Sequence, residues 1–122
     1  MYEITSETQF SAAHKLVNYN GPCENLHGHN WLIKATVKCS NLDSAGIGID
    51  FKVLKNYLKE ISQQFDHKDL NEVFKHEKLN PSSENLARYV FQCLKEKLSG
   101  SECSVSRIEI CETPGNCAAY YE

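Results

Sequence analysis

Two runs of strict alternation, separated by a loop that contains Gly21-Pro22, constrain this chain more than any other feature. Tyr2, Ile4, Ser6, Thr8, Phe10 and Ala12 share one parity, and Glu3, Thr5, Glu7, Gln9 and Ser11 take the other. From His29 to Cys39, Trp31, Ile33, Ala35 and Val37 are opposed mostly by Lys34, Thr36 and Lys38. A period of two sends successive side chains to opposite faces of a half-buried strand. Proline cannot donate to a ladder and ends any strand between the runs. The two therefore read as an antiparallel pair joined by a long loop.

The spacing then changes to that of helices. Asp50 caps a helix running to about Phe65, with Val53, Leu54, Tyr57, Leu58, Ile61 and Phe65 as one apolar stripe. Residues 66–71 break the stripe. Ser82 caps a second helix, Glu84 favours the positive end of its dipole, and Leu86, Val90, Leu94 and Leu98 form its buried face until Gly100 stops it. A strand over residues 104–112 turns at Thr113-Pro114-Gly115-Asn116, where Pro-Gly suits a type II turn, into a last strand over 117–121. The order strand, strand, helix, helix, strand, strand implies an α+β layer with helices on one face of the sheet.

Composition narrows the function classes. With 122 residues, 41% hydrophobic and 24% charged, the chain reads as one domain over 1–122 with a real core. Thirteen Lys and Arg against sixteen Asp and Glu give a net charge of −3, which argues against nucleic acid as the main partner. No apolar run is long enough to cross a membrane, and the first residues do not resemble a secretory leader. The six cysteines, 23, 39, 93, 103, 111 and 117, include no CxxC pair and are expected reduced in a cytoplasm, most of them as small buried hydrophobes. Whether Cys111 and Cys117 can approach each other is left open. Gly46-Ile47-Gly48 is no dinucleotide fingerprint, because position 51 is Phe.

The chemistry concentrates in Cys23-Glu24-Asn25-Leu26-His27-Gly28-His29. Residues two apart on an extended chain share a face, so His27 and His29 can reach one ion. If the first two strands pair antiparallel, His14 at the exit of one lies beside both at the entrance of the other. Three imidazoles without a fourth protein ligand describe a catalytic zinc with an open position. The bland reading, ordinary loop histidines, would be favoured for an HxH alone; His14 shifts the balance toward metal. Cys23, a loop cysteine beside a dication, would be partly thiolate and a candidate base. Asp66-His67 is a weak signal by itself. His76 and Glu109 read as solvated. Glu112, at a strand end, could grip a planar N–H pair of the kind pterins and guanines offer.

Together these residues resemble the 6-pyruvoyltetrahydropterin synthase/6-carboxytetrahydropterin synthase family over nearly the whole chain. The similarity rests on Phe10-Ser11-Ala12-Ala13-His14, the Cys-x3-His-Gly-His unit at 23–29, Ile49-Asp50-Phe51, Asp66-His67 with Leu70-Asn71, Pro81-Ser82-Ser83-Glu84-Asn85-Leu86, and Glu112-Thr113. Phe65 and Ser82 stand where Leu and Thr are usual in the family. The resemblance implies a tunnelling (T-) fold, a four-stranded antiparallel sheet with two helices on one face, whose trimers close a barrel and stack as a homohexamer with active sites shared between subunits. It also implies Zn2+ on His14, His27 and His29, Cys23 as proton acceptor, Asp66 and His67 as a proton relay, and Glu112 as the catalytic-site anchor of the pterin. The substrate it implies is 7,8-dihydroneopterin triphosphate. One branch yields 6-carboxy-5,6,7,8-tetrahydropterin, acetaldehyde and triphosphate for queuosine synthesis, and the compact chain fits that cytoplasmic bacterial branch best. A second branch only eliminates triphosphate, toward tetrahydrobiopterin; a non-catalytic pterin- or purine-binding module is the alternative from another class.

Overall fold

Strands β1 (Tyr2–His14) and β2 (His27–Cys39) pair antiparallel along their full length, from Tyr2 opposite Cys39 to His14 opposite His27. The computed structural model describes residues 1–17 and 25–122. β2 pairs next with β4 (Cys103–Thr113), and β4 with β5 (Asn116–Tyr120), both antiparallel. Helices α1 (Phe51–Ser62) and α3 (Ser83–Lys97) cover one face. Between them lie a core of Trp31, Ile33, Ala35 and Val37 from β2, Leu54, Leu58 and Ile61 from α1, Leu86, Val90 and Leu94 from α3, and Ile108 and Ile110 from β4.

The caps are those the sequence marks. Asp50 accepts the Lys52 N–H at 2.7 Å, and Ser82 accepts the Asn85 N–H at 3.2 Å, so each helix start has one orphan donor satisfied. Gly115 holds φ +86°, the left-handed value a type II turn needs at its third residue. α1 is shorter than its apolar stripe suggests: it ends at Ser62, a turn comes next, and Phe65 enters the core from that turn. Val53, expected on the buried stripe, is exposed.

Two further corrections concern the sheet. Residues 66–71 do more than break a helix: Lys68–Asp69 forms β3, parallel to β1 at Ala12 and Ala13, and Leu70–Val73 forms a single-turn helix, α2. Among the described residues the sheet therefore has five strands rather than four, in the order β3-β1-β2-β4-β5, and there are three helices rather than two. The cause is long-range. Asp66 Oδ1 accepts the Ser11 N–H at 2.9 Å, the His67 N–H donates to Ser11 O at 2.6 Å, and buried Leu70 and Phe74 anchor the short helix to the core. Second, the cysteines expected reduced are joined as Cys39–Cys103 and Cys111–Cys117, leaving Cys93 free among the described residues. Each pair consists of directly opposed residues on neighbouring antiparallel strands, where side chains lie within reach.

Gly48, just before α1, approaches the sheet closely. A Cβ there would stand 2.9 Å from Cys39 Cβ and 3.2 Å from Ile4 Cδ1. Cys39 is held by its strand and its disulfide and has little room to give. Gly48→Ala should therefore destabilise the fold by about 1–3 kcal/mol, the usual scale of overpacking. A urea midpoint equal to that of the unsubstituted protein would show that this contact is loose.

Candidate metal centre

The register that builds the core also builds the site. His14 is paired directly with His27, and His29 is paired with Ala12, so all three histidines share the core face at the loop end of the β1–β2 pair. Trp31 forms the floor beneath them. Its ring meets those of His14 and His29 edge-on at 4.8 and 5.3 Å, and its indole N–H donates to Ala12 O at 3.1 Å. One ring nitrogen from each histidine lies within 4.8 Å of the others.

The outer nitrogens fix which atoms face inward. His14 Nδ1–H donates to Pro81 O at 2.7 Å and His27 Nδ1–H to Asn25 O at 2.6 Å. A proton held at Nδ1 leaves Nε2 as a lone pair, the tautomer that a metal takes. His14 Nε2 and His27 Nε2 then stand 3.1 Å apart. Two ligands at 2.0–2.1 Å in tetrahedral geometry are separated by about 3.3 Å. Two facing lone pairs at that distance repel unless a cation or proton lies between them. Among the described residues His29 Nε2 is buried without a hydrogen-bond partner, a position that is costly unless something is bound there. Burial is also the main influence pushing the His29 pKa below its ordinary value; the Glu112 carboxylate opposes that, and the His14 and His27 rings lower it further. A neutral imidazole is the form that binds metal. The three residues fit a zinc ion.

Glu112 reaches the same spot from β4. The β4–β5 register shifts between Cys111 and Thr113, leaving Glu112 without an opposite residue. Such an irregularity re-aims a side chain. Its Oε1 lies 3.2 Å from His14 Nε2 and its Oε2 3.8 Å from His29 Nε2. A 410 Å³ opening lined by Ser82, Ser83, Glu84, Glu112 and Asn116 adjoins it. Sequence reasoning had Glu112 as a site residue but not against two of the histidines; the contact spans three strands and has no local signature. It also missed the carbonyls of Pro81 and Asn25, which no side chain announces.

Asp66 and His67 are not gathered into this cluster. Asp66 uses Oδ1 on the Ser11 N–H, and its Oδ2 lies 3.7 Å from His67 Nε2, beyond hydrogen-bond range. His67 is 82% exposed and holds φ +58°. With Ser11, Gly28, His29, Asn30 and Lys68 it lines a second depression, of about 460 Å³. Gly28 is not demanded by crowding, since a Cβ there would meet only Ala12 O at 3.9 Å. Cys23 lies outside the described residues.

A histidine trio, two of whose rings are held by backbone carbonyls, with a carboxylate alongside, occurs in a chain whose residues 3–122 match the family model described as 6-pyruvoyl tetrahydropterin synthase. The chain belongs to the 6-pyruvoyl tetrahydropterin synthase family. Among curated members, it is 28% identical to the 6-carboxy-5,6,7,8-tetrahydropterin synthase of Rickettsia bellii, over 96% of this chain and 97% of that one. It is 32% identical to the protein of the same name from Synechocystis sp., over 99% and 94%. Among solved structures, the Caenorhabditis elegans 6-pyruvoyl tetrahydropterin synthase superposes with a TM-score of 0.83 at 30% identity, covering all of this chain and 97% of that one. The fold is thus the α+β architecture of the family. No helix among the described residues is long and apolar enough to cross a membrane.

Removing one imidazole tests the ligand set. His27→Ala should reduce bound zinc well below one ion per chain, since it removes one of the three imidazoles that define the site, as read by metal analysis after gel filtration. Full zinc stoichiometry in that variant would remove His27 from the site.

Proposed function

We propose that this chain is a zinc-dependent lyase converting 7,8-dihydroneopterin triphosphate to 6-carboxy-5,6,7,8-tetrahydropterin, acetaldehyde and triphosphate, in the cytoplasmic synthesis of 7-deazapurines such as queuosine. The observation that carries this reading is the convergence of His14, His27 and His29 beside Glu112, in a chain matched nearly end to end by bacterial proteins named for that product.

His14, His27 and His29 would hold the ion, which when bound supplies Lewis acidity toward the hydroxyl oxygens of the substrate side chain. The chain's own residues do the rest. The Glu112 carboxylate, one-quarter exposed at the mouth of the opening, accepts two parallel N–H bonds from the pterin edge and sets the ring's orientation. The Cys23 thiolate takes a proton from the side chain. His67 returns one, and Asp66, fixed to β1 through Ser11, holds the turn that presents it. His67 stands mostly in solvent within one chain, which supports a site completed by a second subunit. Unpaired edges support the same conclusion: among the described residues β5 has no outer neighbour, and β1 is covered by β3 only at Ala12 and Ala13. Closure of such edges by neighbouring copies removes their unpaired ladder groups, and a homohexamer of two stacked trimers would do so.

One observation favours a second reading: the likeness, at 30% identity, to the 6-pyruvoyl tetrahydropterin synthase of Caenorhabditis elegans. On that reading the chain only eliminates triphosphate and releases a 6-pyruvoyl product.

Incubation of zinc-loaded protein with 7,8-dihydroneopterin triphosphate separates the two. Acetaldehyde together with a 6-carboxy pterin is expected; a 6-pyruvoyl product selects the second reading, and no turnover defeats both. Cys23→Ala should retain zinc and lose activity by about 10²–10⁴-fold, the range of a proton-transfer group. Activity within a few-fold of the unsubstituted enzyme would exclude Cys23 as the acceptor.

A further inference from the structure

Glu112 stands too close to the histidines to be only a distant clamp on the pterin. Its Oε1 is 3.2 Å from His14 Nε2, and His14 Nε2 is 3.1 Å from His27 Nε2. Both separations match the edge of a tetrahedron of ligands around one zinc, about 3.3 Å for donors at 2.0–2.2 Å. The other carboxylate oxygen leans toward the orphaned His29 Nε2 at 3.8 Å. The carboxylate therefore lies against two of the three imidazoles, within a side-chain rotation of a fourth position. We infer that Glu112 caps the open position of the metal centre in the resting protein and gives up that position when a pterin arrives.

The exchange rests on what a carboxylate can do at one time. It has two oxygens, and a planar N–H pair engages both in parallel bonds. An incoming pterin edge therefore competes with the ion for the same group. The local fold supports such movement. Glu112 lies at the register shift beside the Thr113–Asn116 turn, so no cross-strand partner holds it, and its side chain lines the 410 Å³ opening. The histidines, by contrast, are fixed by the β1–β2 ladder, by Trp31 and by two backbone carbonyls. Substrate binding would open the coordination position only when its hydroxyls are at hand, which limits idle water chemistry at the ion. This inference rests on the metal centre and the pterin-anchoring role of Glu112 proposed above.

Cobalt(II), whose visible spectrum reports ligand number and type, gives the test without turnover. In the unsubstituted protein the cobalt bands should differ from those of Glu112→Gln, and zinc affinity, measured against a competing chelator, should fall at least about tenfold in that variant, as lost ligand support generally does. Glu109→Gln, a neutralisation on the same strand facing Arg107, should leave both unchanged. Adding unsubstituted pterin, which has no side-chain hydroxyls to reach the ion, should shift the cobalt bands of the unsubstituted protein toward those of Glu112→Gln and leave that variant's bands unmoved. Superimposable spectra and equal affinities in the two proteins would overturn the capping role while leaving the three-histidine centre in place. A pterin-insensitive spectrum would overturn the exchange. Failure of the unsubstituted protein to bind zinc or cobalt would overturn the centre itself.

Discussion

The pairing of β1 with β2 is the constraint on which the rest depends. Its register is fixed by burial, since Phe10 and Ala12 on one strand and Trp31, Ile33, Ala35 and Val37 on the other must all face the helices. A slip of one residue would carry each of those side chains to the opposite face of the sheet. It would carry His14 or the His27–His29 pair with them, and the three imidazoles could no longer meet. The geometry of the candidate metal centre is therefore secured by the apolar core, not by the metal. The contacts of Trp31 with His14, His29 and the Ala12 carbonyl join the last layer of that core to the first layer of the site.

Legibility in the sequence divides along contact range. The two long strands, both helix caps, the Pro114-Gly115 turn and the meeting of His14 with His27 and His29 come from periodicity and spacing, which are local. β3 was not legible because two residues, Lys68 and Asp69, cannot display a period; their strand exists through bonds between residues 66–67 and Ser11, more than fifty positions away. The cysteine pairs depend on the registers of β2 with β4 and β4 with β5, which no spacing within one strand reveals. The approach of Glu112 to His14 and His29 has the same origin, compounded by the register shift at Glu112 itself. The apolar stripe of α1 overran the helix because Phe65 is buried from a turn, and burial alone does not distinguish a turn from one more helical step.

Asp66 and His67 show how a local strain can be sustained by the fold. A non-glycine residue at φ +58° costs on the order of 1 kcal/mol, although histidine tolerates the left-handed region better than branched residues do. The cost is offset where both neighbours of the strained peptide are tied down: Asp66 through its carboxylate and His67 through its N–H, both to Ser11. The product of that arrangement is an imidazole held out from the sheet edge with its backbone fixed. Within one chain it is largely exposed, and the relay role proposed for it would need a second subunit to cover it.

The two sides of the candidate centre thus differ in kind. The three histidines are built into the ladder of the sheet, where moving any one of them would disturb the core packing behind it. The fourth group, Glu112, comes from a position on β4 that the β5 register skips, beside a turn whose Gly115 is already in the left-handed region. A rigid trio preserves the position of an ion through many binding events. A carboxylate at a register irregularity can change partners by rotating its own side chain, without moving a strand. Placing rigidity at the histidines and freedom at Glu112 matches the different demands that the proposed metal and the proposed planar ligand would make.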